Sequence, residues 1–196
     1  MKTKTILMFL GLAFVISSFT PSNTKTYTYT VNTTKTNVKV TGTSTLHDWE
    51  SMVNTVDGSG AFELTENNYV EGISSLSVNF YTSSFSSGKS LMDEKTTEAL
   101  KASTYPKITF VLSQVTGSKV VSGAEQITAT GNLTIAGVTK YVTTTAYCVV
   151  NASGEVNIFG KQSIDMTEYG IDPPTAMLGT LVTGKDISVI YSLYFD

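Results

Sequence analysis

The 196-residue chain has no arginine; all 13 of its basic residues are lysines. Cys148, His47 and Trp49 are each the only residue of their type. Each shortage excludes something. Without arginine, the planar fork that usually grips phosphate or carboxylate is missing. A single cysteine forbids an intramolecular disulfide, and Cys148 reads as a small buried hydrophobe. One histidine, one cysteine and scattered carboxylates show no spacing that resembles a zinc or calcium motif, so neither metal nor cofactor is expected. No nucleophile-elbow or other hydrolase pattern accompanies His47, so catalysis is not expected.

Long apolar runs are also scarce. The one that stands out covers residues 6–19, behind the positive Lys2 and Lys4, and is broken only by Gly11, Ser17 and Ser18. It is short of the about 20 residues a spanning helix needs. Residues 1–22 therefore read as a cleaved signal peptide that ends in small, turn-prone residues. The mature chain, residues 23–196, reads as one domain with no integral membrane segment and no cysteine at the cleavage point to carry a lipid. Its expected place is the periplasm or the exterior. Without the leader, 11 lysines face 16 acidic residues, a balance of −5. That balance argues against nucleic acid, which needs a basic face, and against an electrostatic grip on anionic lipid.

What the mature chain has in quantity is Thr, Val, Ser, Tyr and Phe in period-2 alternation. Tyr27, Tyr29 and Val31 alternate with polar residues. So do Leu76, Val78 and Phe80, then Ile108, Phe110 and Leu112. Ile187, Val189, Tyr191, Leu193 and Phe195 make one face of a last strand. Such patterning places one face on a core and the other toward water. Turn signals separate the runs at Asp57-Gly58-Ser59-Gly60, Glu66-Asn67-Asn68, Thr116-Gly117-Ser118, Ala136-Gly137, Asn151-Ala152-Ser153-Gly154 and Thr183-Gly184. Roughly eight to ten short strands in a sandwich or barrel are expected. One segment differs. Ser90 is placed to cap a helix over residues 91–103, with Asp93 and Glu94 in its first turn, Lys101 in its last, and Tyr105-Pro106 beyond it.

Two stretches are unusual. Thr41 to Glu50 carries both His47 and Trp49. In an extended strand these two share a face, with Asp48 and Glu50 on the other. Trp49 would carry His47 inward, either as a backbone-satisfied imidazole or toward a ligand, and Asp48 could not orient it as a catalytic base. Gly170 to Gly179 holds Pro173, Pro174, Met177 and Leu178. It reads either as a connection packing its own hydrophobes or as a lid over an apolar cavity.

Several blocks in order carry a resemblance. They are Gly42-Thr43-Ser44-Thr45-Leu46-His47-Asp48-Trp49, then Gly60-Ala61-Phe62, Leu91-Met92-Asp93, Tyr105-Pro106-Lys107-Ile108-Thr109-Phe110 and Gly131-Asn132-Leu133-Thr134-Ile135-Ala136-Gly137-Val138-Thr139. The chain resembles the YceI-like family, known for polyisoprenoid or lipid binding in a lipocalin-like barrel. The resemblance implies an all-β fold: a single antiparallel β-barrel of about eight strands enclosing an apolar tunnel, with the short helix near residues 91–103. It implies a long-chain lipid or isoprenoid partner and leaves self-association open. Where many relatives carry an arginine, this chain has Gln162-Ser163-Ile164-Asp165-Met166. That departure shifts the expected head group from pyrophosphate toward weakly charged or neutral. On this reading the ligand-lining residues are Trp49, Phe62, Phe80, Phe85, Met92, Phe110 and Met177, with His47 near the head group. The alternative is an envelope interaction module whose barrel is filled by its own side chains.

Overall fold

The computed structural model describes residues 24–196, apart from the Met177 side chain. The expected leader, residues 1–22, lies outside the described residues. Twelve strands and one α-helix follow in order: β1 (Thr24–Thr30), β2 (Asn37–Ser44), β3 (Trp49–Val53), β4 (Val56–Thr65), β5 (Val70–Tyr81), β6 (Phe85–Ser86), α1 (Ser90–Ala99), β7 (Lys107–Val121), β8 (Ala124–Ile135), β9 (Val138–Val150), β10 (Val156–Asp165), β11 (Thr175–Ala176) and β12 (Leu181–Phe195). All pairings between these strands are antiparallel.

The strands follow the path β1-β4-β5-β7-β8-β9-β10-β12-β2-β3-β6, with β11 beside β12. The two ends of that path do not pair with each other, so the sheet is a curled half-barrel rather than a closed barrel. Lacing is confined to one end, where Val31 bridges Phe195 and Thr30 and Asp196 exchange backbone hydrogen bonds of 3.0 Å. The strand number also exceeds the expected eight, for a local reason. Long ribbons are interrupted at residues 45–48 and 54–55, and β6 and β11 are two-residue fragments.

Three of the expected turns are instead strand positions. Asp57-Gly58-Ser59-Gly60 lies within β4, Thr116-Gly117-Ser118 within β7 and Thr183-Gly184 within β12. At Gly60 the glycine makes room for an aromatic ring: a Cβ there would sit 2.8 Å from the Phe62 ring. The β7 and β12 glycines lie at or beside register shifts, where glycine relieves a bulge. The remaining three form connections. Ala136-Gly137 closes the β8–β9 hairpin with φ of 47° and 84°, the doubly left-handed turn whose twist matches its strands. Ser122-Gly123 does the same for β7–β8, with φ of 51° and 83°.

Helix α1 starts one residue earlier than expected and ends a turn sooner. Lys89, not Ser90, is the N-cap, and it makes no side-chain cap. Instead Asp93 accepts hydrogen bonds from the Ser87 backbone N–H (2.7 Å) and hydroxyl (2.6 Å), fixing the approach to the helix. At the other end Lys101 takes φ 52°, its N–H donates to Glu98 O, and the Ala102 N–H donates to Thr97 O. This paired closure satisfies the last carbonyls and stops the helix before Ser103.

Buried side chains form two clusters. The larger centres on Val38, Val53, Val56, Phe62, Val78, Val156, Leu193 and Phe195. Phe62 and Phe195 are wholly buried and meet edge-on, with ring centroids 5.3 Å apart; Tyr29 stands 5.9 Å from Phe62. The smaller cluster gathers Leu100, Leu133, Ile135, Ala136, Met166, Tyr169 and Ile171, so the end of α1 and the turn after β10 cover the β8–β9 hairpin. The larger cluster is thus packed mainly by aliphatic side chains around the Phe62–Phe195 pair.

Candidate ligand cavity

Between the two clusters lies a cavity of about 320 Å³. Its walls are aliphatic and aromatic: Val38, Val40, Val53, Ile108, Ile187 and Val189 from the strands, with Met92 and Ala99 from α1 and Leu100 at its C-cap. The segment after β10 roofs it with Met166, Tyr169, Ile171 and Pro174. His47, Lys89, Leu91 and Lys95 stand at the exposed end.

The strand register sets the wall in tiers. Trp49 pairs with Gly42, and Gly42 with Ile187; Ser51 pairs with Val40, and Val40 with Val189. Val38 pairs with Tyr191 one step further in. The outermost tier contains glycine because the Trp49 indole lies over Gly42, where a Cβ would collide with the ring. The indole N–H donates to Thr43 O at 3.0 Å, so its polar edge is satisfied without a ligand. The Tyr191 hydroxyl lies over Gly160, and burial raises its pKa.

Of the residues singled out in the sequence, Trp49, Phe80, Phe85, Met92 and His47 line this cavity. Phe62 does not: it is at the centre of the filled end. Phe110 also lies off the cavity. Its ring covers Gly131, where an added Cβ would be 2.7 Å away, and it packs against the smaller cluster. The Met177 side chain lies outside the described residues. His47 itself departs from the strand reading. Residues 45–48 leave the sheet, and the imidazole is exposed, with Nδ1 2.7 Å from Asp48 O. Ser44 holds that bend. Its Oγ accepts from the His47 N–H at 3.2 Å and donates to His47 O at 2.7 Å. Ile171 falls within the stretch read as a lid, whereas Ser44, Ser51 and Tyr169 were not expected at the cavity, because single strands of sequence do not reveal which positions meet around a void.

The lid is anchored at both ends. Asp165 accepts from the Thr167 N–H at 2.9 Å and pairs with Lys185 at 2.5 Å. The Lys185 ammonium, then the Thr167 hydroxyl, hold its carboxyl down at about 2. Beyond the tip, Thr45 N–H donates to Val182 O and its hydroxyl to Thr180 O, tying the His47 bend to the end of the lid. Among the described residues, no group of three His, Cys, Asp or Glu side chains converges as a metal site, and no helix is long and apolar enough to cross a membrane.

The fold is shared by solved structures. Burkholderia cenocepacia BcnA is 18% identical, with a TM-score of 0.67 over 84% of this chain and 98% of that one. A polyisoprenoid binding domain from Saccharophagus degradans, implicated in plant cell wall breakdown, is 12% identical, with a TM-score of 0.66 over 86% and 97%. A Campylobacter jejuni YceI protein is 18% identical, with a TM-score of 0.54 over 74% and 82%. No curated protein matches the sequence. The curled antiparallel sheet, the apolar hollow under α1 and a match to the YceI-like domain across residues 29–195 agree: this chain belongs to the YceI-like family.

Proposed function

We propose that the protein is a non-enzymatic carrier that holds a long-chain, lipid-like molecule in this cavity. The apolar body would lie against the valine tiers and the head group would lie among His47, Lys89 and Lys95. The observation that carries the reading is the void itself. Protein interiors are packed to crystal density, so an apolar hollow of 320 Å³ needs a reason, and its size falls within the range of ligand sites. The filled-barrel alternative requires side chains to meet throughout the interior, whereas Trp49, Phe80 and Phe85 stand around a hollow without closing it.

The energetics favour the tail over the head. Each buried methylene contributes about 0.8 kcal/mol, so ten contribute about 8 kcal/mol against several for association. A lysine contact at the exposed mouth adds about 1 kcal/mol or less, and Lys95 is already engaged by Glu98 at 2.7 Å. The ligand class is therefore long and apolar with a weakly charged or neutral head, such as an isoprenoid or fatty-acid-like lipid. The leader points to export and to action in the periplasm or outside the cell.

The test is solvent extraction of natively purified protein followed by mass spectrometry. A lipid should co-purify with the wild type and be depleted in Val189→Phe, which fills the cavity. A folded wild type that yields no lipid and binds none added back would overturn the reading.

A further inference from the structure

One polar atom in the cavity wall has no partner. Ser51 is 2% exposed, and its Oγ makes no hydrogen bond. The other buried polar side chains among the described residues are satisfied. Thr82 donates to Tyr105 O at 3.2 Å, and Glu155 accepts from Lys35 at 2.5 Å and from Asn151 at 3.2 Å. Ser51 lies on the cavity side of β3, between Trp49 and Val53, and its tier-mates are Val40 and Val189. A valine there would match its surroundings and suit a strand better. Leaving a buried hydroxyl unpaired costs stability, and such groups call for an explanation.

We infer that Ser51 recognises the ligand, and that the ligand carries a hydroxyl or carbonyl oxygen part-way along its apolar body. A serine hydroxyl can donate to a carbonyl or exchange a hydrogen bond with an alcohol. It sits two residues inward of Trp49, about 7 Å along the strand, so the oxygen it meets is separate from any head group among the lysines. The site therefore distinguishes an oxygenated chain from a plain hydrocarbon tail. The inference rests on the carrier reading above.

Stearic acid and a positional series of its monohydroxylated derivatives test it. Binding is followed by the fluorescence of Trp49, the only tryptophan, which lines the cavity. Wild type should bind at least one hydroxylated isomer roughly 3–10-fold more tightly than stearic acid, the span of one neutral hydrogen bond. Ser51→Ala should abolish that preference while leaving stearic acid affinity within about 2-fold, and should leave the ligand-free protein equally or more stable, since it deletes an unpaired group. Three results overturn the inference alone: stearic acid binds with no isomer preferred, the preference survives in Ser51→Ala, or Ser51→Ala clearly destabilises the ligand-free protein. Failure of wild type to bind any member of the series overturns the inference and counts against the carrier reading too.

Discussion

Trp49, Phe62 and Phe110 are all aromatic residues on alternating strands, yet only Trp49 meets the cavity. Alternation reports which side of a strand is inward; it does not report how far along the interior a residue lies. Glycines decide the difference here. Gly42 receives the Trp49 indole, Gly60 the Phe62 ring and Gly131 the Phe110 ring. That signal was in the sequence, but it could be read only once the pairing register was known. Cys148 was legible from its type alone. It is 2% exposed, and burial, helped by Glu125, pushes its thiol up to about 12. Because the thiolate is the reactive form, a disulfide-forming aromatic reagent at about pH 8 should leave the native thiol unlabelled and react promptly once urea unfolds the chain. Rapid stoichiometric labelling of native protein would contradict this placement.

At the level of elements, strands and the helix were legible and their ends were not. The helix stops early because Lys101, a residue type that rarely adopts a left-handed φ, closes it by a backbone device with no side-chain signature. The lid after β10 was visible through its prolines and Met177, but its fastening was not. Asp165 and Lys185 are 20 residues apart in sequence and meet only because β10 pairs with β12. The depressed carboxyl gives this fastening a pH signature. Its folded value of about 2 lies below the about 3.9 of an unfolded aspartate, so its stabilisation is complete above the latter and fades as pH falls through the former. Asp165→Asn should lower Tm modestly near neutral pH and speed hydrogen exchange in residues 166–181. The Tm difference from wild type should close as the pH falls from about 4 to about 2. A difference that persists undiminished at the acid end would exclude the carboxylate as its source.

For the whole molecule, period-2 patterning identified an all-β chain but carried no information on curvature. Eight strands in a closed ring and twelve in a curled half-barrel leave the same alternation. The half-filled interior was equally hidden, since neither a wholly open tunnel nor a packed core describes it. The result is a division of labour: one end supplies cohesion and the other supplies space. Phe62→Ala, which empties the cohesive end, should cost about 3–5 kcal/mol in urea unfolding. The surviving folded protein should bind a lipid probe with affinity within about 2-fold of wild type. A large affinity loss with little change in stability would reverse that assignment.

The position of β12 has one more consequence. It lies between β10 and β2, and its last residues carry the bridge to Val31 and the Asn32–Asp196 hydrogen bond, which spans 164 residues. A nascent chain therefore lacks the keystone of its sheet until residue 195 has left the ribosome. The filled end cannot form without Phe195, and the cavity wall lacks Ile187 and Val189. Long-range closure of this kind is slow. Folding of the domain must therefore wait for β12, which leaves an interval in which the strands before it lack their central partner.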